Sequence, residues 1–359
     1  MEGIDVCEPW PESGRADCGP NEFHLPGTAG CAGVGPACPA GEFAEGLPAT
    51  GVLYVTAAGT GDPAADGSRA RPFESIEAAL AVASPDSTIA LSRGEHVLVD
   101  GLRLESAITV VGACAEATVV RNEPEEPVAG AALQTTVKLV AAGAGIRGLR
   151  ITGDRAGVLV NATGTTIEGV IVDEAYGLGV GIVAGADVVV RDVLVQRTRP
   201  TVGGRFGRAV NVDGGAQASI ERVAFRDNHE VAMSVADATT AVSLTSAVIA
   251  DTLPRAENDW FGRALTVQEA TARVEASALE HNRHDAVFVE DGSFEMVDSV
   301  LRDTEPQRTE THYGTGILAA GSDVTLRRVR LERNTSAGVL VSRGTTLEAE
   351  DVVVLESQP

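Results

Sequence analysis

The chain has 359 residues, 44% of them hydrophobic, and a formal net charge of −23. That is enough apolar material for a sizeable core, while the charge repels nucleic acid and anionic lipid, and no apolar run reaches membrane-spanning length. Aromatics are scarce at 4% and glycine is abundant at 40 residues, a mix that suits stacked coils better than a bulky globule.

Residues 1–50 show neither strand nor helix periodicity and are rich in Gly, Pro and Cys. Such a segment buries little surface of its own and is expected to lie across the body as an arm. Cys7, Cys18, Cys31 and Cys38 crowd into it, and Cys114 stands alone in the turn GACAEA. No C-x2-C zinc spacing occurs. Clustered cysteines in a loop-rich arm point to disulfides and an oxidising compartment: extracellular, periplasmic or cell-surface. The alternative is a cytosolic chain with reduced thiols. Five is odd, so one thiol is left over or pairs between chains. The isolated Cys114 is the expected anchor of the arm.

The folded body is expected over 51–359. Leu53–Val55 reads as a short strand, followed by the Gly/Asp-rich loop GTGDPAADGSRARP. A helix is predicted over about 72–84. Phe73, Ile76, Leu80 and Ala83 fall at helical spacing, Pro72 suits a helix start, and Ser84-Pro85 stops it. The strand TIALSRG comes next.

From about 136 the chain repeats. Phe206–Asn228 reads FGRAVNVDGGAQASIERVAFRDN, Trp260–Asn282 reads WFGRALTVQEATARVEASALEHN, and Tyr313–Asn334 reads YGTGILAAGSDVTLRRVRLERN. Each copy has an aromatic-Gly start, an alternating strand, a tight turn, a second alternating strand and a closing Asn. Aligning the second strands gives landmarks at Leu149, Val170, Val193, Val223, Ala247, Ser277, Ser299, Val329 and Val352. Most gaps are 21 to 24 residues, one coil of a solenoid, and three are 30. The long coils carry inserts at 197–206, 251–261 and 303–313. Each has Thr-x-Pro near its start and ends in aromatic-Gly. Parallel strands stack at ~4.8 Å, so inserts two coils apart should form a ridge about 20 Å long. Asn228, Asn282 and Asn334 are expected to satisfy backbone groups at the coil corners rather than to do chemistry.

The order strand, Gly/Asp loop, amphipathic helix, strand and Arg-Gly turn over Leu53–Gly94, with the coils that follow, resembles the pectate-lyase-like right-handed parallel β-helices. The resemblance implies an all-β, right-handed parallel β-helix with a short N-terminal capping helix, joined here to a disulfide-bearing arm. It also implies polysaccharide as the ligand class. The lyases of that superfamily use calcium held by a carboxylate cluster with an Arg or Lys base, and its hydrolases use paired aspartates. Asp173, Asp192, Asp213, Asp237, Asp298 and Asp323 do not share a corner in this phasing, so no catalytic residue carries over.

No metalloprotease, P-loop or serine-hydrolase motif is present. Glu280-His281-Asn282-Arg283-His284-Asp285 holds two histidines and two carboxylates, but Arg283 opposes a metal there and no metal site is assigned. The inserts are the best ligand-binding candidates: Arg208, Arg255, Asp259, Trp260, Phe261, Arg263, His312 and Tyr313. Aromatic faces stack on sugar rings, and arginine forks carboxylates. Against this, Phe206, Phe261 and Tyr313 could be plugs holding the loops down, and the arginines could pair with Glu257, Asp259 and Glu310.

The reading is a secreted or surface protein that binds an extracellular polysaccharide, with an acidic glycan on the ridge, or serves as a scaffold. The alternative is a polysaccharide lyase or hydrolase on the same face. No cofactor is called for, calcium being the ion a lyase would need. The C-terminal end stops at the Pro of what would be a fourth insert, so further coils or a partner chain are expected over it.

Overall fold

In the computed structural model, which describes residues 8–11, 14–59, 61–123, 134–307 and 313–357, the body is built almost wholly of parallel strands. Each coil runs through two sheets. Arg208–Val212 belongs to a ten-stranded front sheet. Gln217–Arg226 then crosses an 18-stranded sheet that bends at Arg222 into a side face and a rear face. The bend has a local cause. Asp192, Arg222, Ser246, Ala276, Asp298 and Arg328 take left-handed backbone, with φ between 47° and 56°. That conformation costs a residue with a Cβ about 1–2 kcal/mol. Cross-coil pairing offsets part of it: Arg222 donates to Asp192 at 2.6 Å, and Arg328 donates twice to Asp298.

The register agrees with the sequence phasing. Val193 faces Val223, Val223 faces Ala247, and Ser299 faces Val329. Inside the front sheet Val158, Val180, Val210, Met233, Leu265, Val287 and Ile317 form one buried row from coil to coil. Full burial of such a side chain is worth about 1.5–3 kcal/mol. The next residue along each strand points outward, giving the row Asn211, Ser234, Thr266, Phe288 and Leu318.

A helix closes the N-terminal end over Ile76–Leu80, inside the predicted stretch but shorter. Phe73 is the reason: its N–H donates to Tyr54 and its carbonyl accepts from Thr56, which holds it extended. The helix therefore begins only after Ser75, whose side chain caps the Ala78 N–H. Ile76 and Ala79 are buried, with Phe73, Leu80 and Ala83 packed beside them.

The corner asparagines are buried and work across coils. The Asn228 carbonyl accepts from the Thr198 N–H, that of Asn282 from Thr252 and that of Asn334 from Thr304, each thirty residues back. Asn228 and Asn282 also donate to the Val195 and Ile249 carbonyls. Asparagine thus alternates with the insert threonines up the corner instead of stacking on itself.

The arm departs most from expectation, because it does bury apolar surface. Trp10, Phe23, Leu25 and Val34 form a second core with Ala115, Ile171, Leu194, Ala224, Val248, Ala278 and Val300 on the rear face. It runs lengthwise, against the direction of coil growth. Glu8 meets Arg302 and Arg330, Arg15 meets Asp251, Arg226 donates to Gly19, and Gln196 donates to Pro20. Gly35 then passes so close to Gly169 that a Cβ on it would lie 2.8 Å from the Gly169 Cα. Disulfides join Cys18 to Cys31 within the arm and Cys38 to Cys114 on the first coils. Cys7 lies outside the described residues. In the last coil the inward-facing Val341, Leu347 and Val354 are exposed.

Candidate functional site

The inserts leave the coils along one edge of the front sheet, the third being described only at 303–307 and Tyr313. Inserts one and two are joined through backbone, the Glu257 N–H donating to the Gly204 carbonyl at 3.0 Å, and by the pair Arg205–Glu257. Beneath them sits Glu230, 2% exposed. It accepts from Arg208 at 2.7 Å, Arg255 at 3.1 Å and the Phe206 N–H at 2.6 Å. Burial works to raise its carboxyl, but the two guanidiniums and the amide outweigh it and hold it below the usual range.

Arg263 is buried as well. Its guanidinium lies 4.9 Å from the Phe261 ring centre and 4.1 Å from that of Phe288, and it pairs with Asp285 at 3.2 Å. Arg255 covers Phe261 at 4.7 Å. Phe261 is thus gripped between two cations and is a packing group. Tyr313 stacks on His284 at 4.0 Å. Asp259 occupies a tight turn with φ 59°, its N–H donating to the Arg255 carbonyl. His312 lies outside the described residues, as do Arg308 and Glu310. Two aromatics remain presented to solvent, Trp260 at 47% and Phe206 at 42% exposure.

Beside the ridge the front sheet carries an open cleft of about 330 Å³. Leu178 and Phe206 form an apolar part of it. Arg208, Asn211, Asp213, Ser234 and Gln268 supply its polar groups, and Asp237 stands at its margin. Arg208 donates to Asn211, and Asn211 donates to Asp213 at 2.6 Å. Burial pushes the Asp213 carboxyl up, with the neighbouring Asp237 charge acting the same way against the Asn211 hydrogen bond. Asp213 and Asp237 therefore do share a corner, contrary to the sequence phasing, which aligned second strands and left the first turns unplaced. Asn211, Ser234 and Gln268 were legible as polar residues at outward positions of Val-rich strands. Glu230 was not, because nothing marks it beyond following a corner.

The Glu280–Asp285 run diverges in space. Glu280 faces the arm, accepting from Trp10 Nε1, while His284 and Asp285 face the ridge. His281 stands at the edge between Asp251 and Asp303. Among the described residues no group of three or more His, Cys, Asp or Glu is placed to hold a metal ion.

Comparison with solved structures decides the fold. Pectate lyase Pel9A superposes with a TM-score of 0.60 at 14% identity, over 86% of this chain and 80% of that one. The chain has the pectate-lyase-like fold, a right-handed parallel β-helix. An alginate lyase from Paenibacillus sp. str. FPU-7 matches with a TM-score of 0.57 at 14% identity, over 76% and 96% of the two chains. A GH136 lacto-N-biosidase from Eubacterium ramulus matches with a TM-score of 0.51 at 14% identity, over 84% and 68%. No protein-family model matches the sequence, and no curated protein does. Identities this low carry the β-helix and nothing finer.

Proposed function

We propose that this protein binds an extended, neutral carbohydrate along the ridge and cleft of the front sheet, in an extracellular or cell-surface setting. The observation that carries this is the charge state of the ridge. Among the described residues of the ridge, Arg205, Arg208, Arg255, Arg263 and Arg283 each have a carboxylate partner, so little of their positive charge is left for uronate or sulfate groups. The cleft itself displays Asp213 and Asp237, which repel an anionic chain. What stays available is Trp260 and Phe206 for stacking and hydroxyl and amide groups for sugar hydroxyls. The acidic glycan expected from the arginine content is therefore replaced by a neutral one. The polysaccharide-acting neighbours and the two disulfides support the carbohydrate class and the oxidising setting.

The test is affinity electrophoresis against neutral glucans and mannans beside polygalacturonate and alginate. Retardation by a neutral polymer, reduced at least about tenfold in Trp260→Ala and Phe206→Ala, is expected. Retardation by the uronates alone overturns the reading. A second reading, hydrolysis on the same face, rests on the raised Asp213 carboxyl beside Asp237, a combination suited to a general acid. New reducing ends from a bound neutral polymer, abolished in Asp213→Asn, would select it.

A further inference from the structure

Near the N-terminal end the arm crosses the bend between the side and rear faces and leaves a cavity of about 450 Å³ beneath it. Neither surface has a bulky side chain to fill that space. The coils turn there on Gly112 and Gly148, and a Cβ on Gly112 would run into the Gly148 carbonyl. The arm brings only small or compact residues over the cavity, among them Pro36, Pro39 and Ala44. Its one aromatic there, Phe43, is buried instead against Tyr54, with ring centres 4.9 Å apart. The roof is fixed at two points. Cys38 is bonded to Cys114, and the Arg93 N–H donates to the Glu42 carbonyl at 2.9 Å.

The charges at the cavity break a pattern kept elsewhere. Val111, Arg147, Glu168, Arg191 and Glu221 face one another from coil to coil as a single outward column. Arg191 and Glu221 pair at 3.2 Å. Arg147 and Glu168 stand opposite each other in the same way and make no pair, and both line the cavity together with Glu45 of the arm. Among the described residues the half-buried Arg147 guanidinium has no hydrogen-bond or ion-pair partner at all.

We propose that this cavity binds a small zwitterion with an apolar body, an α-amino acid or dipeptide carrying an apolar side chain. Its carboxylate takes the Arg147 guanidinium, whose planar fork grips a carboxylate through two parallel bonds. Its ammonium takes Glu168 and Glu45, and its apolar part lies against Pro36, Pro39, Val111 and Ala113. The charge count selects this class. Two carboxylates beside one guanidinium disfavour a simple anion, and a simple cation leaves Arg147 without a partner. Mostly apolar walls, a few convergent polar groups and a fixed roof are the properties of a preformed small-molecule site, and the volume lies in the range of such sites. The cavity is apart from the front sheet, so this proposal does not rest on glycan binding there.

Isothermal titration of the oxidised full chain tests this. The probes are L-phenylalanine and L-leucyl-L-phenylalanine, beside 3-phenylpropionate and phenethylamine, which keep the ring with one charge each. At least one zwitterion is expected to bind about tenfold or more tighter than either singly charged probe. Arg147→Gln should weaken the zwitterion and 3-phenylpropionate by about tenfold, and Arg147→Lys, which keeps the charge without the fork, should weaken them less. Glu168→Gln combined with Glu45→Gln should weaken the zwitterion and phenethylamine instead. Both glutamates are exposed, so these proteins should fold, and unchanged melting temperatures check that. No binding of either zwitterion overturns the proposal. So does binding that survives both the arginine and the glutamate changes, since the ligand then sits elsewhere. Retardation by neutral polymers is read separately, so this proposal and that for the front sheet fail independently.

Discussion

The front and rear faces of this β-helix are both overlaid by chain that is not part of the coils, yet the overlays behave oppositely. On the rear the outward positions are apolar, and the arm seals them with Trp10, Phe23, Leu25 and Val34. On the front the outward positions at the cleft, Asn211, Ser234 and Gln268, are polar, and the inserts pile up at one edge, satisfying their own charges on Glu230 and Asp285 and leaving the cleft open. The difference comes from one residue in each strand. Where both sides of a strand are apolar, a cover is required; where the outer side is polar, the same backbone can stay open to solvent.

The sharpest way to break that contrast is to place one carboxylate on each face. Val248→Asp buries a charge beneath the arm and is expected to destabilise by several kcal/mol, because an unpaired buried ion has no compensation. Gln268→Asp, at an exposed position of the open cleft, is expected to shift the melting temperature far less. Thermal melts of the two proteins side by side measure this, and equal losses would mean that the front is as closed as the rear.

Next in size is Glu230→Gln, which leaves Arg208 and Arg255 without their shared carboxylate and should cost about 3–5 kcal/mol. The same group sets a pH dependence. Its folded carboxyl lies below its unfolded value, so its contribution is complete above the ordinary carboxylate range and is lost as pH falls through the lower, folded value. Trp260 emission followed during acid titration should report ridge loosening there, and Glu230→Gln should abolish that step. Smaller again, Asn282→Ala removes a buried acceptor from the Thr252 N–H and should cost about 1–3 kcal/mol in a chemical melt. At the bottom lies Arg328→Ala on the side face, where an exposed pair with Asp298 is cut and only a slight fall in melting temperature is expected.

The coils were legible in sequence because their landmarks are periodic and every strand alternates. The disulfide anchor was legible because Cys114 had no other reason to stand alone. The arm's grip was not, since Trp10 and Phe23 sit in a segment without periodicity, although the rear strands carried the complementary signal. Val193-Leu194-Val195 and Val223-Ala224-Phe225 are apolar at three successive positions, as a strand covered on both sides must be. The ridge arginines were legible, but Glu230 and Asp285 as their partners were not. Arginine is conspicuous in an acidic chain, whereas a partner such as Glu230, 22 residues away from Arg208 and 25 from Arg255, becomes its neighbour only when the coils stack.

The direction of the arm has a consequence for how the chain is made. Trp10 finds its partner 270 residues later, and Glu8 finds Arg302 294 residues later. A ribosome or translocon releases the first anchors long before the coils that receive them exist. Each new coil can settle on the one before it, through contacts some two dozen residues apart, but the far end of the arm must wait for the coils that carry Glu280 and Arg302. Docking of its far end therefore follows the winding of those coils, and until then the nascent rear strip stays exposed.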